Sequence, residues 1–152
     1  MGEVVELKAR LPAMSKAAVD KARALEGEMV KLPQADIQTL HLLHAGLYQR
    51  TIKIPAGVSL TGALIKRSTS LVVSGHCLVY IGDECLRLHG YHIVPASAHR
   101  KQAFVAVSDT YLTMSFATQA TTVEQAEEEF TDEVEMLMSR RSDLNTIMIT
   151  GE

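Results

Sequence analysis

The chain has 152 residues, a net charge of -3 and 47% apolar residues, values that fit one domain with a single core. This charge, together with 5% aromatic residues and no tryptophan, argues against a nucleic-acid polymer as partner. The sequence shows neither a secretory signal nor a run of about 20 apolar residues able to span a bilayer. We therefore expect a cytoplasmic protein without a membrane partner.

Residues 1–36 are predicted to form an N-terminal helical arm. Ser15 is a favoured N-cap residue, and alanines recur in the turns that follow it. The pattern predicts a helix from residue 16 to about residue 25. Leu32-Pro33-Gln34 then interrupts the helical pattern, because a proline disfavours helix in the residue before it.

Residues 37–118 carry short apolar runs separated by turn residues, a pattern typical of a β-sandwich or β-barrel. Residues 48–54 alternate between two faces, which predicts a half-buried strand. Turn-forming residues at Ser74-Gly75, Gly82-Asp83 and Ser108-Asp109 separate further strands. The other predicted strands or extended segments are 37–44, 62–67, 70–73, 77–81, 85–89, 91–94, 101–107 and 111–116.

Residues 119–142 are predicted to form a C-terminal acidic amphipathic helix. Thr121 and Glu124 have the spacing of a capping box, and apolar residues then recur at three- and four-residue steps. Residues 143–152 form a tail. Its strand-like part, residues 145–150, is expected to add to a sheet edge, of this subunit or of another, or to be disordered.

The two cysteines, Cys77 and Cys85, lie near the ends of a predicted hairpin. They either face each other across the hairpin or are separate thiols. Two cysteines without a secretory signal favour buried free thiols in a reducing compartment.

The pattern over residues 46–117 resembles the cupin superfamily, whose fold is a double-stranded β-helix or jelly-roll barrel. Pro55-Ala56-Gly57 is similar to the start of the first cupin motif, and Gly75 to the glycine that closes it. The residues similar to the second motif are Gly90, Pro95, Ser97 and His99. The resemblance implies a mainly β fold, a small cupin-like jelly-roll barrel with an N-terminal helical segment and a C-terminal amphipathic helix.

The resemblance also implies partners. Cupins are often dimers, so we expect a homo-oligomer, a dimer or larger, that forms through the barrel and the C-terminal helix. Small stand-alone cupins, such as those carried by phages, are a further likeness, and barrels of that kind can sequester a metabolite or a nucleotide signal.

The residues at the family's metal-binding positions cannot bind a metal. Counted from Gly57, the two histidine positions hold Ala63 and Ile65, and the glutamate position falls at Ser68 or its neighbour. Hydrocarbon side chains lack the lone pairs that a divalent ion needs. His99 alone remains of the family's ligand set, so we expect a metal-free barrel without a cofactor.

Basic residues are concentrated in the barrel. Residues 41–118 hold seven lysines and arginines against three acids, whereas residues 121–141 hold seven acids against two arginines. If Ala63 and Ile65 face inward, strand alternation carries Arg67 inward as well, and an arginine in a pocket suits a carboxylate or phosphate. Alternatively, the basic residues are solvated or pair with the acidic helix. The candidate ligand-binding residues are Tyr48, Arg50, Arg67, Tyr91, His99, Arg100 and Lys101.

Three functions are consistent with this pattern. The first is non-catalytic binding, including sequestration, of a small anionic molecule such as a nucleotide or an organic acid. The second is a structural module that assembles oligomers. The third is a metal-independent isomerase or epimerase in which His99, a weak catalytic candidate, is the general acid or base. Because nucleophile and phosphate-loop motifs are absent, we rank binding first and catalysis last.

Overall fold

The structure is a computed structural model that describes residues 10–152, so residues 1–9 of the predicted arm lie outside it. The helices are α1 (Lys16–Met29), α2 (Val123–Phe130) and α3 (Met138–Arg141), with a short 3-10 helix at Val134–Met136. The strands are β1 (Thr39–His44), β2 (Leu47–Ile54), β3 (Ser59–Thr61), β4 (Thr69–Ile81), β5 (Glu84–Ala96), β6 (Ala103–Ala106), β7 (Thr110–Ala117) and β8 (Asn145–Ile149).

The strands form one curled sheet in the order β3-β6-β4-β7-β2-β1-β8, with β5 paired to β4. Neighbouring strands are antiparallel except β1 and β8, which are parallel. Alternate residues of the strands, such as Leu71 and Val73, form the core, and Phe130 of α2 packs into it. The prediction of a mainly β fold, a small barrel with helical segments before and after it, is confirmed.

Strand β4 changes partners halfway along its length. Residues 70–74 pair with β7, residues 77–80 pair with β6, and β5 follows the other edge throughout. The change occurs at Gly75, whose φ of 140° suits glycine and strains other residues. The β6–β7 connection closes on this point, where the Val107 amide donates to the His76 carbonyl at 2.9 Å. The bend allows one strand to serve both halves of the barrel.

Strands β4 and β5 are each longer than predicted. The turn predicted at Ser74-Gly75 is wrong because β4 continues through it, and β5 continues through Gly90, which pairs with Gly75 across the hairpin. Both cysteines are free thiols, as expected, but Cys77 is buried whereas Cys85 is exposed. The hairpin register pairs Cys77 with Leu88, so the two thiols do not face each other.

Two further segments test the strand predictions. Residues 62–67 do not form a regular strand, because the segment has an isolated bridge between Ile65 and Arg100 instead of a ladder. The interpretation of residues 145–150 as a strand at a sheet edge is confirmed, since β8 extends the sheet of its own chain beside β1.

The helix α1 begins where the sequence predicts. Ser15 Oγ accepts a hydrogen bond from the Ala18 amide at 3.1 Å, so Ser15 is the N-cap. The helix continues to Met29 instead of ending near residue 25. One glycine within a helix costs only about 1 kcal/mol, which the remaining turns of α1 tolerate.

The single helix predicted over residues 119–142 is wrong, because the segment forms α2, the 3-10 helix and α3. The chain leaves the helical path after Phe130 to bond to the barrel. The Phe130 carbonyl accepts from the Lys66 amide at 2.8 Å, and the Thr131 hydroxyl donates to the Leu64 carbonyl at 2.8 Å. These bonds replace the next helical turn.

The start of α2 is shifted by one residue from the prediction. Thr122 Oγ1 accepts from the Gln125 amide at 3.2 Å, and the Gln125 side chain accepts from the Thr121 amide at 2.9 Å. Thr122 is therefore the N-cap, and the arrangement is a variant of the capping box in which the Gln125 side chain accepts from the residue before the N-cap. Among the helices of residues 10–152, none has the length and apolar content needed to cross a membrane.

Replacing Gly75 with alanine is expected to lower the free energy of unfolding by about 2–4 kcal/mol. A Cβ at this position would lie 2.6 Å from the Asp109 carbonyl oxygen and 2.8 Å from Thr110 Cα, and φ is left-handed. The matched control is Gly27→Ala in α1, where no atom lies within 4 Å of the added Cβ. That control should stabilise by about 0.5–1 kcal/mol, and equal stabilities of the two variants in urea would contradict the constraint at Gly75.

Candidate ligand site in the barrel

A cavity of about 140 Å³ lies inside the curled sheet. Its wall comes from the inner faces of β2, β4, β6 and β7, from the irregular segment around Ala63, and from the 3-10 helix and α3. Most of the lining side chains are apolar, and such a cavity with a few polar groups is the usual form of a small-molecule site. The polar lining residues are Arg50, Thr61, Arg100 and Gln102.

The cavity wall does not fit a metal ion. Ala63 and Ile65, which hold the histidine positions expected from the cupin resemblance, both line the cavity. Neither side chain has a donor atom. Within the described part of the chain, no group of three histidine, cysteine, aspartate or glutamate side chains could hold a metal. The charged groups of the cavity are therefore its arginines.

Arg100 is deeply buried in the cavity wall, with 2% of its surface exposed. Its guanidinium donates to the carbonyls of Ser97 (2.6 Å) and Arg67 (3.3 Å) and to Thr69 Oγ1 (2.7 Å), which are neutral acceptors. No carboxylate of residues 10–152 forms an ion pair with it. Burial accordingly lowers the pKa of Arg100 to about 10. These contacts orient the guanidinium but do not balance its charge.

Arg50, the second arginine of the wall, does have an acidic partner. It donates to Glu127 Oε2 at 2.9 Å and to Ser139 Oγ at 3.1 Å. Glu127 is buried and also accepts from Arg140 Nε at 2.7 Å. Burial alone would raise the pKa of Glu127, but hydrogen bonds from Ser139 and Arg140 and the charge of Arg50 hold it below its usual value. The cluster joins β2, α2 and α3 beside the cavity.

Tyr48 is fully buried behind the cavity wall and belongs to a row of hydrogen-bonded side chains. Its hydroxyl bonds to His41 Nδ1 at 2.8 Å and accepts from Arg50 at 3.4 Å. The Asn145 amide nitrogen donates to the Ser139 carbonyl, so its oxygen accepts from His41 Nε2–H at 2.8 Å. His41 Nδ1 is then the acceptor of the Tyr48 proton. Burial lowers the pKa of His41, which favours this neutral ring.

Lys101 is fully buried but does not line the cavity. Its Nζ donates to Glu26 Oε2 at 2.9 Å, to the Gly62 carbonyl at 2.9 Å and to Glu133 Oε2 at 3.2 Å. Lys101 therefore pairs with acids of the helical segments, which is the alternative that the sequence left open for the basic residues.

Arg67, Tyr91 and His99 lie outside the cavity wall. Arg67 lies 4.2 Å from the centre of the Phe116 ring and 3.7 Å from Glu129. Tyr91 is 68% exposed on β5. His99 is exposed in a left-handed turn with a φ of 61°. Because its side chain faces solvent, His99 is not placed to act as acid or base on a molecule in the cavity.

The sequence analysis missed Gln102, Met136 and Met138, all of which line the cavity. The position of Gln102 has a signal in the sequence, because alternate residues of an extended segment share a face and Arg100 faces inward. The two methionines have no such signal, since their position depends on the break after α2.

No protein-family model and no curated protein matches the chain. Similar solved structures include a cupin superfamily protein from Desulfitobacterium hafniense (12% identity, TM-score 0.45), with 73% of this chain and 100% of that chain covered. Ectoine synthase from P. lautus has 19% identity and a TM-score of 0.48, with 65% and 76% covered. Salicylate 1,2-dioxygenase from Pseudoaminobacter salicylatoxidans has 15% identity and a TM-score of 0.48, with 74% and 34% covered. No activity or ligand is transferred from these likenesses.

The protein is expected to lose stability as the pH falls below about 6.5. Folding lowers the pKa of His41, so the unfolded chain takes up a proton at a higher pH than the folded chain does. The contribution of neutral His41 to the free energy of unfolding is fully present above the pKa of His41 in the unfolded chain and is lost as the pH falls below it. For one proton, the slope is up to about 1.4 kcal/mol per pH unit.

Urea unfolding from about pH 7.5 to about pH 5 measures this slope, which should be smaller in His41→Gln. His76 contributes in the same direction, because burial, His89 and Arg87 lower its pKa, so His76→Gln is measured in parallel. A slope that stays unchanged in His41→Gln would contradict the neutral His41 pairing.

Proposed function

We propose that the protein binds a small organic acid in the barrel cavity without converting it, and that Arg100 binds the carboxylate. The observation that carries the proposal is a buried arginine that lines an apolar cavity and whose guanidinium contacts only neutral acceptors among residues 10–152. A buried charge is costly unless a partner balances it. A carboxylate would supply that balance and can accept two parallel hydrogen bonds from an arginine.

The volume and lining of the cavity favour an organic acid over a nucleotide. A cavity of about 150 Å³ accommodates a molecule of the size of benzene. The cavity of this protein has about 140 Å³ and mostly apolar walls, which suit a small carboxylate with a hydrocarbon part better than the polar base, sugar and phosphates of a nucleotide. Of the two kinds of anion expected from the sequence, a nucleotide and an organic acid, we therefore propose the organic acid.

Binding without a metal is part of the proposal. Ala63 and Ile65 supply no donor atoms at the positions where the cupin resemblance would require them. The free thiols of Cys77 and Cys85 support a reducing, cytoplasmic environment. Binding without conversion makes the protein a sequestering module, the role implied by the resemblance to small phage-type cupins.

Calorimetric titration with butanoate and benzoate is expected to detect binding. The neutral analogue butanamide should bind at least about tenfold more weakly than butanoate, because a hydrogen bond to a charged group contributes about 1.5–3 kcal/mol. Arg100→Gln should weaken carboxylate binding by a similar factor.

The matched control is Arg87→Gln, which removes the same charge from the exposed hairpin and should leave affinity unchanged. Circular dichroism and urea unfolding establish that both variants are folded. Equal carboxylate affinities in the two variants would contradict the role of Arg100.

A second proposal concerns assembly, the alternative function. Strand β8 ends the sheet, and its consecutive residues Ile147, Met148 and Ile149 are all at least half exposed. The strand carries no charged residue, and an uncharged apolar edge pairs readily with another strand. We propose that a second copy of the chain pairs with it, β8 against β8, to form a homodimer.

Light scattering after size-exclusion chromatography is expected to give the mass of a dimer for the wild-type protein. Ile147→Lys should give a monomer, because a charge would be buried in the paired edge. Ile93→Lys, at a position on β5 that is also more than half exposed, is the control and should remain dimeric. A monomeric wild-type protein would refute this proposal.

A further inference from the structure

A groove of about 650 Å³ lies on the outer side of the cavity wall, between α1 and the C-terminal segment. The groove and the cavity share Leu60, Thr61, Phe104, Met136 and Met138 as lining residues. The same residues line both spaces, so the partition between them is a single residue thick.

The partition has a rigid side and an adaptable side. Leu60 and Phe104 lie on β3 and β6, which pair with each other in the sheet. Met136 and Met138 are half-buried on the 3-10 helix and α3, which are outside the sheet. Methionine is unbranched and flexible and adapts to a neighbouring molecule. The hydrocarbon chain of a ligand can therefore pass from the cavity to the groove on the side of Met136 and Met138.

The groove has mainly apolar walls. The helix α1 contributes Leu25, Met29 and Val30, and the loop after it contributes Leu32. In the part of the chain that the structure describes, Leu32 is 63% exposed and Leu25 is 44% exposed. Exposed apolar surface that continues a ligand cavity is suited to a hydrocarbon.

We propose that the ligand is an unbranched aliphatic monocarboxylic acid that is longer than the cavity. The inference rests on the proposed function, since it requires the carboxylate on Arg100. The cavity holds about six non-hydrogen atoms, the size of benzene. The rest of the chain passes Met136 and Met138 and lies in the groove against Leu25 and Leu32. Such a molecule combines the two groups that the two spaces can bind, a negative charge for Arg100 and a hydrocarbon chain for the groove.

The first experiment is a calorimetric series with butanoate, hexanoate, octanoate and decanoate on the wild-type protein. Each methylene that enters the groove should raise the affinity about fourfold, which corresponds to about 0.8 kcal/mol. The rise should continue beyond hexanoate. A constant affinity beyond hexanoate overturns the inference, whereas the proposed function stands if butanoate still binds in an Arg100-dependent way. If no carboxylate binds in that way, the proposed function itself fails.

The second experiment tests the passage and the groove. Met138→Trp narrows the passage, and because Met138 lines both spaces it should weaken decanoate binding at least tenfold more (about 1.4 kcal/mol) than it weakens butanoate binding. Leu32→Glu changes an exposed position, so it should fold, and it should weaken decanoate alone. The control Val107→Trp lies outside both spaces and should affect neither ligand.

Two results would overturn the inference. The first is that Met138→Trp and Leu32→Glu weaken butanoate and decanoate equally, because the long chain would then not occupy the groove. The second is that decanol binds the wild-type protein as tightly as decanoate does, because the charge of Arg100 would then have no part in binding. Tighter binding of decanoate, lost in Arg100→Gln, supports the inference.

Discussion

The candidate ligand site depends on one buried interaction, that of the Lys101 ammonium with Glu26, Gly62 and Glu133. Glu26 belongs to α1, Gly62 to the segment that lines the cavity, and Glu133 directly precedes the 3-10 helix. No strand ladder connects these three segments. Removing one member of a buried ion pair typically costs about 3–5 kcal/mol. Lys101 thus holds in place both the inner wall of the groove and the partition between groove and cavity.

The neighbouring Arg100 is buried to a similar degree but in a different electrostatic setting. Lys101 has two carboxylate partners, whereas Arg100 has two backbone carbonyls and a hydroxyl. Dipoles orient a guanidinium without balancing its charge, so the cation stays receptive to an anion. The two adjacent cations therefore have different roles. Lys101 holds the segments around the cavity together, and Arg100 contributes a positive charge to the cavity wall.

Local patterns predicted those parts of the structure that neighbouring residues determine. The alternation of residues 48–54 predicted a half-buried strand, and Ser15 marked the start of α1. In both cases the deciding contact lies within a few residues or in the period of the strand. Ala63 and Ile65 do line the cavity, but Arg67, which strand alternation would carry inward with them, does not, because residues 62–67 form no regular strand.

Other features depend on contacts that are distant in sequence. The break after Phe130 is caused by the Lys66 amide, and no local pattern in an acidic amphipathic segment reveals that partner. Gly75 has a positive φ in a turn and in a bend alike, so the sequence could not distinguish the two. The direction of the Lys101 side chain depends on acids in two remote segments.

The parallel pairing of β8 with β1 has a consequence for how the sheet assembles. The His41–Asn145 contact within it joins residues 104 positions apart. Contacts of such long sequence separation form late, because the loop-closure entropy is lost before the contact can compensate for it. As long as β8 has not paired, the outer edge of β1 is therefore an open sheet edge. Until β8 of the same chain has paired there, that edge can form a β-ladder with a strand of another copy, which would lead to aggregation.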